Sequence, residues 1–236
     1  MRKQPNYRYL VLGLFAAIVV IASTGPLNLL AIAGLITSAV VLVATAYLVA
    51  ERKRQVLVTV ALGGSALLPI AWFRLYPATL PLHVAKTIYT LDLVFWVLFT
   101  LTTTVIVFRG IMTASRVRAN EIYGAIYVYL LVGVLFAQGY QLLLAVQPDA
   151  LYFDAERFAT PEPLGSGLAV RSVGELVYFS FVTLGTVGYG DITPASPLAR
   201  AVCMTEELIG VMYVATMIAR FVSIQTSGGP GGEETA

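Results

Sequence analysis

Thr186, Val187, Gly188, Tyr189 and Gly190, followed directly by Asp191, are the residues of this 236-residue chain whose types and spacing could do chemistry. A strand of that composition can turn successive backbone carbonyl oxygens to one side, and a ring of such oxygens can replace the water around an alkali-metal ion. The backbone angles required are ones that a residue with a Cβ resists, so Gly188 and Gly190 meet a conformational need. Thr186 can add a hydroxyl at the inner end, while Val187 and Tyr189 would turn their side chains away from the ions and wedge the strand against its surroundings. The stack of ion-facing carbonyls would run from Thr186 to Tyr189.

Such a strand needs a support, and the residues before it provide one. Ser172 and Glu175 have the spacing of a capping box, which predicts a short helix from there through about residue 184. That helix is too short to cross a hydrocarbon core of about 30 Å, which takes about 20 residues. It must therefore dip into the membrane and return, or lie at its surface, and the strand attached to it favours the first. Ending at the strand, it aims the partial negative charge of its carbonyl end at the ions.

Composition sets the frame. With 58% hydrophobic and 12% charged residues and a mean hydropathy of +0.82, the chain is too apolar for a soluble domain and reads as a polytopic membrane protein. A formal charge of +2, with basic residues at loop ends, does not indicate a nucleic-acid partner. The single cysteine, Cys203, excludes an internal disulfide and reads as a packing residue. No catalytic triad, metal cluster or nucleotide loop is visible, so neither an enzyme nor a resident cofactor is expected.

Apolar segments fall at about 8–24, 27–50, 56–73, 84–108, 120–146 and 198–224, separated by Thr24-Gly25-Pro26, Glu51-Arg52-Lys53-Arg54, Pro77 with Pro81, and the Arg109–Glu121 stretch. If six helices alternate, Arg2, Lys3, Arg8, Arg52, Lys53, Arg54, Arg109, Arg116 and Arg118 share one side, with Arg74, Lys86, Arg157 and Arg171 on the other. Both termini are then cytoplasmic and the re-entrant loop opens outward. A competing reading makes the first segment a cleaved signal peptide, with small residues near Ala22-Ser23.

The run from Tyr178 through Thr186-Val-Gly-Tyr-Gly190-Asp191 to Pro194, within about residues 120–224, resembles the potassium-selective pore-loop channels, most of all bacterial members with a two-helix pore module. The resemblance implies an all-α membrane protein with six transmembrane helices, a re-entrant pore helix and a selectivity filter. It divides the chain into a four-helix domain at 1–118, a pore domain at 119–226 and a short Gly-rich tail at 227–236. The implied activity is passive conduction of K+, bound at Thr186, Val187, Gly188 and Tyr189, in a cell membrane. One chain supplies one filter strand and a closed ring needs four, so a homotetramer surrounded by lipid is expected. A weakly selective cation channel, or a regulatory subunit that no longer conducts, are the alternatives.

Further roles follow from that register. Gly210 falls where the family has its inner-helix hinge, and it serves equally as a small residue admitting close helix packing. Val211, Val214 and Ile218 would face an apolar cavity. At least one of Glu206 and Glu207 is expected behind the filter, bonded to Ser180, Thr183 or a backbone group and protonated because burial disfavours charge, the rival being a water-filled crevice. Two departures matter: Gly185 replaces a frequent threonine, and Val182 replaces a glutamate that in some relatives pairs with the aspartate after the filter. Tyr178 is therefore the expected partner of Asp191.

The fourth segment carries only Lys86 and Asp92 where a voltage sensor would carry a basic residue at every third position. Asp92 is expected to pair with Lys86 or with a polar group on a neighbouring helix, and Thr102, Thr103 and Thr104 to bond their own backbone. The outer turret, about 147–171, reads as a solvated loop with Asp149, Asp154, Glu156 and Glu162 at its mouth, and His83 as a lone loop histidine.

Overall fold

The computed structural model describes residues 7–23, 81–113, 119–158, 162–164 and 168–227. The segments at 27–50 and 56–73, the turns Thr24-Gly25-Pro26 and Glu51–Arg54, and Arg2, Lys3, Arg74, Pro77, Arg116, Arg118 and most of the tail lie outside the described residues. Helix α1 spans Tyr7–Ser23, α2 Leu82–Met112, α3 Ala119–Val146, α4 Val173–Leu184 and α5 Pro197–Ser227. Among the described residues, α2, α3 and α5 are long and apolar enough to cross a membrane, whereas α1 and α4 are shorter apolar helices. The chain is thus a largely helical membrane protein.

Local chemistry sets the helix ends. Pro197 occupies the first helical position of α5, where a missing N–H is harmless, and the Ser196 Oγ before it accepts from Ala199 N at 3.1 Å. At the other end of α2, Thr113 closes the helix with its backbone N–H on Arg109 O. Thr102, Thr103 and Thr104 donate to Leu98 O, Phe99 O and Thr100 O at 2.7, 2.9 and 2.7 Å, so their hydroxyls are satisfied within the apolar helix.

Two cores hold these helices. Leu14 of α1, Phe99 and Val107 of α2, Tyr127 and Leu131 of α3, and Val177 of α4 lie in one cluster, so packing runs continuously across residue 118. The second cluster joins Tyr140 and Leu143 of α3 to Leu176 and Phe179 of α4, Ala199 of α5, and the connecting residues Leu151, Phe153 and Ile192.

The turret is more ordered than a solvated loop. Strand β1 (Leu151–Phe153) pairs antiparallel with β4 (Ile192–Pro194), in the register Leu151↔Pro194 and Phe153↔Ile192. Strands β2 (Glu162–Leu164) and β3 (Leu168–Val170) form a second antiparallel pair. Leu151 and Phe153 point into the second core, and that burial makes such short strands worth forming.

Two expectations are corrected. His83 lies in the first turn of α2, because that helix starts at Leu82. Of the two partners expected for Asp92, Lys86 is ruled out: Asp92 is buried, its Oδ1 has no partner among the described residues, and Lys86 is exposed and forms no ion pair with it. Six residues make about 1.7 turns, which rotates the two side chains onto different faces.

Candidate functional site

The site is built on α4. Ser172 Oγ accepts from Gly174 N at 3.2 Å, and the Glu175 carboxylate receives the Ser172 backbone N–H in return. Arg171 lies 3.7 Å from Glu175 and also covers the Phe153 ring at 3.9 Å, tying the helix start to β1. Burial raises the Glu175 carboxyl above its ordinary range, with Arg171 and the Ser172 amide opposing that rise.

The last turn of α4 leaves none of its carbonyls open. Gly185 N donates to Phe181 O at 3.0 Å, Val187 N to Val182 O at 2.9 Å and Thr186 N to Thr183 O at 2.9 Å, while the Tyr129 hydroxyl donates to Leu184 O at 3.2 Å. The amides of Thr186 and Val187 are therefore spent on the helix, which fixes the direction in which the next residues leave it.

Those residues alternate in handedness. Thr186, Gly188 and Gly190 have positive φ of 57°, 60° and 80°, and Val187 and Tyr189 between them do not. Alternating right- and left-handed residues turn successive peptide groups the same way, which is what a row of carbonyls on one side requires. Glycine meets that need at 188 and 190. Thr186 is branched at Cβ, and holding it there costs about 1 to 3 kcal/mol, which its amide bond to Thr183 O helps to offset. The whole run 185–190 is exposed, Val187 by 53% and Tyr189 by 66%.

The outer end of the run is anchored on both sides. The Tyr178 hydroxyl donates to Asp191 Oδ2 at 2.6 Å, and the Tyr178 and Tyr189 rings stack at 6.3 Å, only 4° from parallel. Burial first, then the hydrogen bond and charge of Asp191, push the Tyr178 phenol up to about 12, so it stays a donor. Asp191 Oδ1 accepts from Ile192 N at 3.0 Å, and Asp191 O accepts from Asp154 N at 3.0 Å, which joins the 186–190 run, β4 and the segment after β1.

Behind the run, the two glutamates separate. Glu206 is fully buried, with Tyr140 OH 2.6 Å from Oε2 and Ser180 Oγ 2.5 Å from Oε1, whereas Glu207 is exposed. Of the expected alternatives, Ser180 is thus the partner of the glutamate, and Thr183 on the same face of α4 lies against Cys203. Ser180 Oγ also reaches Gly133 O at 2.7 Å. The sequence reading missed Tyr140; its only signal was a polar ring within the apolar stretch of α3.

On α5, Gly210 is buried against Leu184, while Val211, Val214 and Ile218 are exposed. Further along, Arg220 Nη2 donates to Met112 O at 2.7 Å and Ile111 O at 3.3 Å, an unforeseen contact with the C-terminus of α2. Tyr213 OH donates to Ala125 O at 2.8 Å, so α5 is also fastened to α3.

Residues 129–226 match the model of a family described as ion channels. The chain is similar to a two pore potassium channel c of Oryza sativa subsp. japonica, 45% identical over 51 residues, or 22% of this chain. It is similar to a voltage-gated potassium channel of Aeropyrum pernix, 26% identical over 105 residues, or 44% of the chain. It is also similar to a probable potassium channel protein 2 of Methanocaldococcus jannaschii, 41% identical over 49 residues, or 20% of the chain. The aligned parts span 11%, 28% and 14% of those three proteins. No solved structure matches the chain.

Proposed function

We propose that this chain, which belongs to the potassium pore-loop channel family, assembles as a homotetramer that conducts K+ passively and selectively. The observation that carries the reading is the alternation of handedness at Thr186, Gly188 and Gly190, directly after a short capped helix that lies between two membrane-length helices. Four copies of that strand around one axis would bring the carbonyls of Thr186, Val187, Gly188 and Tyr189 into rings that replace the hydration of K+. The exposed run 185–190 and the exposed face of α5, with Leu208, Val211, Met212 and Ile218, are the surfaces that neighbouring copies and the cavity would share.

Asp191, Tyr178 and Glu206 then act as supports that touch no ion. Gly210 is a candidate hinge, and Val211, Val214 and Ile218 line the cavity below the filter. With six spans, both termini face the cytoplasm and the filter faces outward, in keeping with the positive charges on the terminal side. A channel of this kind needs no catalytic group and no cofactor, with K+ its permeant ion.

Purified protein in planar bilayers under opposed K+ and Na+ gradients tests the proposal. A reversal potential close to the K+ equilibrium value, block by barium and loss of current in Gly188→Ala are expected. Reversal near zero would indicate a weakly selective cation pore, and absence of any current a non-conducting subunit; either result overturns the proposal.

A further inference from the structure

Three short oxygen–oxygen contacts run in series through the protein behind the filter strand. Tyr140 OH meets Glu206 Oε2 at 2.6 Å, Glu206 Oε1 meets Ser180 Oγ at 2.5 Å, and Ser180 Oγ meets Gly133 O at 2.7 Å. Each is a hydrogen-bond distance, and each needs one hydrogen between its oxygens. Tyrosine and serine hydroxyls carry one hydrogen apiece, and a backbone carbonyl carries none. Two hydrogens cannot serve three contacts.

The structure assigns the third hydrogen to Glu206: we infer that its side chain is a neutral carboxylic acid, and that it positions α4 by continuing one directed chain of donors from α3 through α5 and α4 back to α3. Tyr140 donates to Oε2, Oε1–H donates to Ser180 Oγ, and the Ser180 hydroxyl donates to Gly133 O. Were the carboxylate ionised, Ser180 would turn its hydrogen to Glu206, and two lone-pair oxygens would face each other at the Gly133 contact.

The surroundings agree with this count. Tyr140 and Tyr129 approach from α3, Ser180 from α4, and Cys203 from α5 itself, with Glu207 exposed beside it. The ion pairs among the described residues, Arg157 with Asp154 and Arg171 with Glu175, do not include Glu206. A fully buried carboxylate with no cation paired to it among the described residues would be costly, while a carboxylic acid in a complete network is not. The inference stands on this geometry and does not depend on conduction.

Infrared difference spectra of the purified wild-type protein against Glu206→Gln test it. Glutamine keeps one acceptor for Tyr140 and supplies an N–H for Ser180, so Glu206→Gln should fold, assemble and melt like the wild type at neutral pH. The difference spectrum should contain a protonated-carboxyl C=O band that shifts in heavy water. Raising the pH withdraws the hydrogen the network needs, so the wild-type melting temperature should fall toward alkaline pH and that of Glu206→Gln should not. Glu206→Ala, which strands both hydroxyls, should melt lower than either at every pH. Carboxylate bands at neutral pH in place of the C=O band, or a Glu206→Gln protein that fails to assemble, would overturn the inference whether or not the protein conducts.

Discussion

A Cβ placed on Gly210 would lie 2.6 Å from the Leu184 carbonyl oxygen and 2.9 Å from Leu184 Cδ1. The absence of a side chain at 210 is thus what lets α5 press against the last residue of α4, one position before the turn into the strand proposed as the filter. Leu184 O also holds the Tyr129 hydroxyl, so pushing on it disturbs α3 as well. Gly210→Ala is expected to destabilise the protein by about 1 to 3 kcal/mol, as overpacking against a rigid group does. Thermal unfolding in detergent measures it. A Gly210→Ala protein that melts like the wild type but differs in open probability would assign the glycine to hinge motion alone.

The Tyr178–Asp191 bond ties the helix to the residue that follows the filter. Both groups are partly exposed, so Tyr178→Phe should cost only about 1 kcal/mol per protomer in global stability. Its effect on conduction should be larger, because the aspartate would be free to move with Tyr189, whose ring still stacks on position 178. Faster loss of K+ current during sustained opening is the expected outcome, read in macroscopic recordings. Raising the pH toward 12 should reproduce that loss in the wild type and leave Tyr178→Phe unaffected, since the raised phenol still donates below that range.

What was legible in the sequence is what local chemistry encodes. Ser172 and Glu175 announced the helix, and α4 runs from Val173 to Leu184 as their spacing predicts. Gly188 and Gly190 marked the positive-φ positions, but Thr186 could not be read, because a branched residue is placed there only by the amide bonds that follow the helix end. Glu206 and Tyr140 are 66 residues apart and meet only after three helices pack, so the sequence showed a costly glutamate without saying which of two it was. The pairing of Leu151–Phe153 with Ile192–Pro194 was hidden for a different reason: three residues are too few to show alternation.

The N-cap of α4 is a second place where one hydroxyl holds the support. Ser172→Ala removes the acceptor for Gly174 N and should cost about 1 kcal/mol, whereas Ser172→Asp should restore most of it. Melting temperatures of the two variants, compared at one detergent concentration, decide the matter. Equal losses in both would mean that Arg171 on Glu175 and Phe153, rather than the cap, fixes the helix start.

Arg220 joins the far end of α5 to the first half of the chain. Its Nη2 donates to Met112 O at 2.7 Å and Ile111 O at 3.3 Å, carbonyls of the last turn of α2, where the helix dipole leaves a partial negative charge. A cation there is worth up to about 2 kcal/mol in a partly buried setting. Both bonds come from one nitrogen, so lysine keeps the charge and enough N–H groups but has the shorter reach; Arg220→Lys should retain part of the stabilisation and Arg220→Gln very little. With the Phe108–Tyr213 ring contact at 6.4 Å, this contact couples α2 to α5, and it lies beyond Gly210 and the residues proposed to line the cavity. Breaking it should therefore change the opening equilibrium by as much as about tenfold, in the order glutamine more than lysine, while K+ over Na+ selectivity stays as in the wild type. Single-channel open probability and reversal potential, measured on the same patches, separate the two effects. An Arg220→Gln protein with altered selectivity would mean that the contact supports the filter and has no part in transmitting motion.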